Sequence, residues 1–172
     1  MISAVLITKE REYPLDLKPF HEFFDEVLVK RESPSVYERY ELAKYARNET
    51  IFVQDDDAIV DFKELFKHYD GRLTNGITEH HLRSYEDTGI TLVGWGCFFP
   101  KEMLLNMDKY ISKYGKDAHL LREADRIFTY LNQPHNSVIM KHTDLPQVGR
   151  MSNDPLHYQH ILDVLEKLKT IV

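Results

Sequence analysis

Apolar and polar positions along the chain alternate between a strand-like and a helix-like period. Residues 3–8, SAVLIT, form a short aliphatic and β-branched run that predicts a buried strand, and residues 26–31, EVLVKR, predict a second. Between them lie Pro14 and Pro19 and a short amphipathic stretch. Residues 33–48 place Val36, Tyr40, Ala43 and Tyr45 near helical spacing behind Ser33 or Ser35 as N-cap, which predicts a helix ending near Asn48. TIFVQ, residues 50–54, then returns to a buried strand. The opening third therefore reads β, α, β, α, β, and that alternation predicts a mostly parallel sheet with helices on its faces.

Downstream, residues 60–69 predict a helix, and residues 71–78 and 90–99 predict strands. Pro100 stands where a helix N-terminus accepts proline, ahead of a helical pattern over 100–115. A further helix is expected over 117–132 and a last strand over 136–141. The tail, 154–172, predicts an amphipathic helix that packs through Ile161, Leu162, Leu165 and Leu168. At 172 residues and 20.4 kDa the chain is the size of one domain, expected to span 1–172.

Composition changes this picture little. With 42% hydrophobic and 29% charged residues the chain is that of an ordinary globular protein. A net charge of -6 with scattered basic residues argues against a nucleic-acid partner. A single cysteine, Cys97, excludes an internal disulfide or a cysteine-based zinc cluster and fits a reducing compartment. Its plainest reading is a small apolar residue buried in a strand. The N-terminus lacks the basic leader and small-residue cleavage site of a signal peptide, and no apolar run reaches membrane-spanning length. The expected setting is cytoplasmic, with no transmembrane segment.

The chemistry concentrates where TIFVQ runs into Asp55, Asp56 and Asp57. Adjacent carboxylates repel one another unless water, a cation or hydrogen-bond donors surround them. An EF-hand calcium loop is excluded by counting: with Glu64 as the twelfth ligand, Val53 falls at the first position and Ala58 where glycine is required. Three readings remain. Aspartates gather in solvated turns and at helix starts. A metal-dependent phosphatase also places an Asp-x-Asp after an apolar strand, though usually the first strand, which here ends in TKERE. Finally, carboxylates at the C-terminal mouth of a sheet strand suit a hard divalent cation that bridges a diphosphate. On an extended backbone, Asp55 and Asp57 would point to one side and Asp56 elsewhere.

Here the residues resemble a family. A strand ending in an Asp-x-Asp motif is similar to that of the metal-dependent GT-A nucleotide-sugar glycosyltransferases. ERYELAKYARNETIFVQDDDA, residues 38–58, resembles the corresponding stretch of the exostosin-like members. ITLVGWGCFFPKEML, residues 90–104, and READRIFTYLN, residues 122–132, sit where that family has a donor-facing strand and an acidic motif opening a helix. The resemblance implies a GT-A fold with a mixed, mostly parallel sheet. It implies an enzyme that uses Mn²⁺ or Mg²⁺ and moves a sugar from a nucleotide-sugar donor, a UDP-sugar given the metal motif, to a carbohydrate or other hydroxyl acceptor.

Roles follow from the resemblance residue by residue. Asp57 would be the direct metal ligand, supported by Asp55, with Asp56 beside them at the donor. Thr8, Lys9 and Arg11 would line the nucleoside pocket, and Arg39 would contact the nucleotide or its phosphates. Gly94 and Gly96, flanking Trp95, would let the donor approach the backbone. Asp125 or Glu123 would be the carboxylate at the reacting sugar or acceptor hydroxyl. His157, among the late histidines His142, His157 and His160, would complete the metal site, with Arg150 on the diphosphate. His80 and His81 would belong to a loop over the site. Each also has a plain reading: surface charges for Lys9, Arg11 and Arg39, a bulge around Trp95, first-turn helix carboxylates for Glu123 and Asp125, and a surface histidine for His157. A domain that binds a nucleotide sugar or carbohydrate without turnover is the second function the sequence allows, and a phosphatase the third.

Overall fold

A computed structural model describes residues 1–9, 15–79, 90–141, 143–144 and 156–171. Its strands are β1 (Ile2–Ile7), β2 (Glu26–Lys30), β3 (Thr50–Gln54), β4 (Ala58–Ile59), β5 (Thr74–Ile77), β6 (Cys97–Pro100), β7 (Asn136–Ile139) and β8 (Thr143–Asp144). Its helices are α1 (Lys18–Phe23), α2 (Glu38–Ala43), α3 (Phe62–Phe66), α4 (Leu104–Tyr114), α5 (Ala118–Leu131) and α6 (His157–Lys169). Six strands make one sheet in the order β2-β1-β3-β6-β5-β7, while β4 and β8 form a separate antiparallel ladder. β1 is parallel to β2 and β3, and β5 to β7; β6 runs against both its neighbours. The protein is thus α/β with a mixed, mostly parallel sheet flanked by helices.

Strict alternation in the strands sorts the core onto two faces. In β3, Ile51 and Val53 join Val5, Cys97 and Phe99 beneath Tyr37, Tyr40, Met107, Tyr110, Ile127 and Phe128 of α2, α4 and α5. Phe52 points the other way, with Ala4, Leu6 and Phe98, against Phe20, Phe24, Phe62 and Leu65 around α1 and α3. Phe52 lies directly opposite Phe98 in the β3–β6 register, ring centroids 4.7 Å apart, and Phe24 stacks on it at 5.0 Å. Such aromatic contacts add to the burial of the rings themselves.

At the edge where β1, β2 and β3 begin, polar groups stitch the strands in register. Glu26 accepts from Ser3 Oγ at 2.6 Å and from the Arg47 amide and Nε at 2.8 and 2.9 Å, while Asn48 donates to Ser3 Oγ at 3.1 Å. Burial alone would raise the Glu26 carboxyl, but these hydrogen bonds and the Arg47 charge hold it below the usual carboxylate range.

The structure corrects several sequence expectations. The helix expected over 33–48 is only Glu38–Ala43. The apolar run 90–99 is a strand only from Cys97, because Val93–Gly96 closes a turn through Gly96 N–H to Val93 C=O (3.0 Å), with Gly96 at φ +92. Pro100 closes β6, and a 3-10 turn, Lys101–Met103, precedes α4. The aspartates lead first into β4, and α3 then starts at Phe62, capped by the Asp61 carboxylate on the Glu64 N–H. In α6 the fully buried residues are Val164 and Leu168, whereas Leu162 is exposed and Ile161 and Leu165 are half-buried. No helix among the described residues is long and apolar enough to cross a membrane.

Two measurements test these packing statements. Phe52→Ala is expected to lower unfolding free energy by about 3–5 kcal/mol, read by chemical denaturation, because it deletes a fully buried ring from the middle of the aromatic cluster. Glu26 has a lowered pKa in the folded state, so its contribution is present above about pH 4.5 and fades as pH falls through the lowered value. The stability gap between wild type and Glu26→Gln should therefore be largest at neutral pH and narrow below about pH 4.5.

Candidate functional site

The chain leaves β1 toward β2 on one side of the sheet and leaves β3 toward β5 on the other, so the loops after β1 and β3 part at a switch point. Reversed β6 then brings its own beginning to that same edge. The Asp55 N–H donates to the Gly94 C=O at 2.9 Å, and Gly76 N–H to Gly96 C=O at 3.0 Å. Three chain segments that are remote in sequence, 8–9, 55–57 and 94–96, thus meet at one end of the sheet.

The three aspartates do different things there. Asp56 and Asp57 form a turn between β3 and β4, closed by Gln54 Nε2 donating to the Ala58 C=O at 2.9 Å. The extended backbone that would align Asp55 with Asp57 is therefore absent. Asp56 is buried and accepts the Lys9 backbone N–H at 2.7 Å, which ties the loop after β1 to the loop after β3. It is a strut between two loops, where the sequence reading pointed it away from Asp55 and Asp57 and placed it at the donor. Thr8 is held in the ladder, its N–H donating to Lys30 C=O at 2.9 Å and its C=O accepting from Ser33 N–H at 3.1 Å. Asp57 is half-buried on the turn.

Asp55 belongs to a charge network that runs beneath the cavity. Arg39 Nη2 donates to Asp55 Oδ1 at 2.5 Å, and Arg39 Nη1 lies 3.6 Å from Asp125 Oδ2. Tyr40, the next residue on α2, donates its hydroxyl to Asp125 Oδ1 at 2.6 Å. The Arg39 side chain is 1% exposed, against 42% for Asp55 and 25% for Asp125. The guanidinium is sealed below two carboxylates that reach the surface, and it faces them. Burial works against the charge on Arg39, but Asp125 and Asp55 outweigh it and hold the guanidinium firmly charged. Burial raises the Asp125 carboxyl above the usual range; Arg39 and the Tyr40 hydrogen bond pull it down, and Asp55 pushes it up. Burial, with the Asp125 charge nearby, likewise pushes the Tyr40 hydroxyl and the Cys97 thiol well above their ordinary values, so both are neutral.

Above this network lies a cavity of about 130 Å³ bordered by Asp55, Gly94, Trp95, Glu123, Asp125 and Arg126, among others. Gly94 is required by space: a Cβ there would sit 2.0 Å from Asp55 Oδ2. The loop carrying Gly94 is anchored by Thr91, which accepts from Asn75 Nδ2 and donates its N–H to Thr129 Oγ1 at 3.3 Å. On the opposite wall α5 leaves helical geometry at Glu123, with φ -114 and ψ 27. Glu123, its side chain 2% exposed, takes Arg126 Nε at 2.8 Å and lies 3.6 Å from Arg122 Nε and 3.5 Å from His157 Nδ1. Both acidic residues of READR therefore border the cavity, but Asp125 joins the aspartate side whereas Glu123 joins α5 to the first residue of α6.

His157 stands with Glu123 and Arg126, not in a group with the aspartates, and His160 packs against the His119 ring at 5.6 Å. Among the described residues no group of three His, Cys, Asp or Glu side chains is arranged to hold a metal ion. Arg11, Arg150, His80, His81 and His142 lie outside the described residues. Sequence reasoning missed Tyr40, whose helical spacing marks it only as core, and Thr91 and Arg126, which lie inside the segments 90–104 and 122–132 but carry no role that their residue type or spacing there announces.

No family model matches the chain, and no curated protein matches it. Among solved structures it is similar to the crystal structure of Aq1419, a protein of Aquifex aeolicus VF5. Identity is 13% over 81% of this chain and 86% of that one, with a TM-score of 0.46. A likeness of that size assigns neither a fold family nor an activity.

The tightness at Gly94 has a measurable consequence. Gly94→Ala should cost about 1–3 kcal/mol in denaturant unfolding, because the new methyl drives Asp55 off Arg39. Adding Asp55→Ala should then cost less than it does in wild type, and a strictly additive double-mutant cycle would contradict the contact.

Proposed function

We propose that the protein is a metal-dependent glycosyltransferase that moves a sugar from a nucleotide-sugar donor, a UDP-sugar by preference, to a hydroxyl acceptor. The observation that carries the reading is the junction of Asp55, Asp56 and Asp57 with the loop after β1 and with Gly94, at the switch point of an α/β sheet and beside the Asp125 cavity. The strand order, with reversed β6 between β3 and β5, is compatible with a GT-A fold.

Asp57 offers hard carboxylate oxygens on the turn, whereas Asp55 is not aligned with it on an extended backbone and is already engaged by Arg39, so it would act only in support. Such a donor set fits Mn²⁺ or Mg²⁺ arriving with a diphosphate, since these ions take one or two carboxylates and complete their shell with phosphate oxygens and water. Asp57 would hold the ion and Asp55 would support it; when bound, the ion would offset the charge developing on the leaving nucleoside diphosphate. His157 is already engaged with Glu123, which weakens its candidacy as a ligand. The segment at Thr8 and Lys9, fixed through Asp56, would form the floor for the nucleoside. Asp125, facing the cavity and oriented by Tyr40 and Arg39, would steady the sugar as positive charge develops on it. Glu123, paired with Arg126, would shape the wall.

A nucleotide-sugar-binding domain without turnover is the second reading, favoured by one observation: each cavity carboxylate that would act as a base is paired with a cation. A phosphatase receives less support, since the Asp55 nucleophile it needs has one oxygen held by Arg39 and the other against Gly94.

Calorimetry against UDP, GDP and CMP sugars, with and without Mn²⁺, tests the proposal. UDP-sugar binding that needs the metal, is lost at least tenfold in Asp57→Asn, and is accompanied by slow release of UDP is the expected result. Metal-independent binding would overturn the role of Asp57. Binding without any cleavage would leave the non-catalytic reading standing, and release of inorganic phosphate from phosphate esters would point to a phosphatase.

A further inference from the structure

Arg39 and Tyr40 are consecutive on α2, both buried, and both spend their polar ends on Asp125, a residue of α5 more than eighty positions away in the chain. A buried arginine with two carboxylate neighbours is an expensive arrangement unless it organises something. The charged or titratable groups around Asp125 are Arg39 and Tyr40 from α2, Asp55 after β3, Cys97 of β6, and Arg126 on α5 itself. Tyr40 and Cys97 are neutral, so against burial the charges that act are Arg39, Asp55 and Arg126, with the Tyr40 hydrogen bond added to the two arginines.

We infer that Arg39 and Tyr40 are positioning residues: they hold the Asp125 carboxylate at the border of the cavity, and Arg39 is the counter-ion it shares with Asp55. The reasoning is geometric. Tyr40 fixes one oxygen from below at 2.6 Å, and Arg39 stands 3.6 Å from the other while it grips Asp55 at 2.5 Å. Partial burial alone would favour a protonated Asp125, a poor partner for a sugar acquiring positive charge; the two α2 residues oppose that. Because one guanidinium serves two carboxylates, a change at Asp55 alters what remains for Asp125. The catalytic meaning of the inference rests on the glycosyl-transfer reading, but the electrostatic arrangement does not.

The test is a carboxyl ¹³C NMR titration of aspartate-labelled protein, with the Asp125 signal assigned by its loss in Asp125→Asn. Arg39→Met removes the cation and Tyr40→Phe removes the hydrogen bond, so each should raise the Asp125 midpoint. For Arg39→Met the change in proton affinity should be tenfold or more, about one pH unit. Asp55→Asn removes the repelling charge and frees Arg39, so it should lower the midpoint. A purely structural role predicts otherwise: loosening the packing would let water reach Asp125 and lower its midpoint in all three. A fall or no change in Tyr40→Phe therefore overturns the inference. Should Arg39→Met fail to fold, Tyr40→Phe and Asp55→Asn still give opposite signs or refute it. If UDP-sugar hydrolysis is found, the acid limb of its pH profile should move up in Tyr40→Phe together with the NMR midpoint. If no nucleotide sugar binds at all, the glycosyl-transfer reading falls, while the titration still decides whether these residues govern Asp125.

Discussion

A guanidinium withdrawn from water is the constraint around which the site is arranged. Arg39 cannot be left alone at that depth, since an unpaired buried charge is among the costliest defects a protein can carry. Its two carboxylate partners come from the end of β3 and the middle of α5, so α5 must lie where Asp125 can reach, and β3 must end where Asp55 can turn down. The Tyr40 ring beside it, 4.7 Å from the Phe128 ring, fills the same layer that carries the hydroxyl to Asp125. Packing and electrostatics are thus met by neighbouring residues on a helix of only six.

The reversed strand β6 supplies what a wholly parallel sheet would not. A parallel strand in that place would present its C-terminal end beside β3, followed by a loop leading away to a crossover helix. Run backwards, β6 is entered from the edge where β3 ends, and the turn at 93–96 lies against Asp55 before the strand begins. The side-chain-free surface of Gly94 leaves the carboxylate room, and the positive φ of Gly96 makes the turn tight enough to enter the strand at Cys97.

Much of the scaffold is legible in residue pattern. The β, α, β, α, β opening, the apolar strand before the aspartates and the α5 stripe are each written in local periodicity, which depends on near neighbours in the chain. The misread run at 90–99 shows the limit. Ile90 and Val93 are apolar because they are buried in that loop, and burial in a loop leaves the same pattern as burial in a strand. At the site, Asp55 and Asp125 could be picked out as carboxylates in suggestive surroundings. That Arg39 lies beneath them could not, because the ordinary expectation for a helix arginine is the surface. The role of Asp56 was hidden for a different reason: its partner is a backbone N–H, which every residue but proline possesses, so no side-chain pattern at position 9 records it.

That last contact has an evolutionary reading. Because Asp56 recognises the main chain of residue 9 and not its side chain, the first loop is attached by a fastening indifferent to its amino-acid identity. The lysine at position 9 is free to drift to almost any residue without loosening the joint, proline excepted, whereas Asp56 has no comparable latitude. The side chain at position 9 can therefore change while the anchorage of this segment to Asp56 is inherited unchanged.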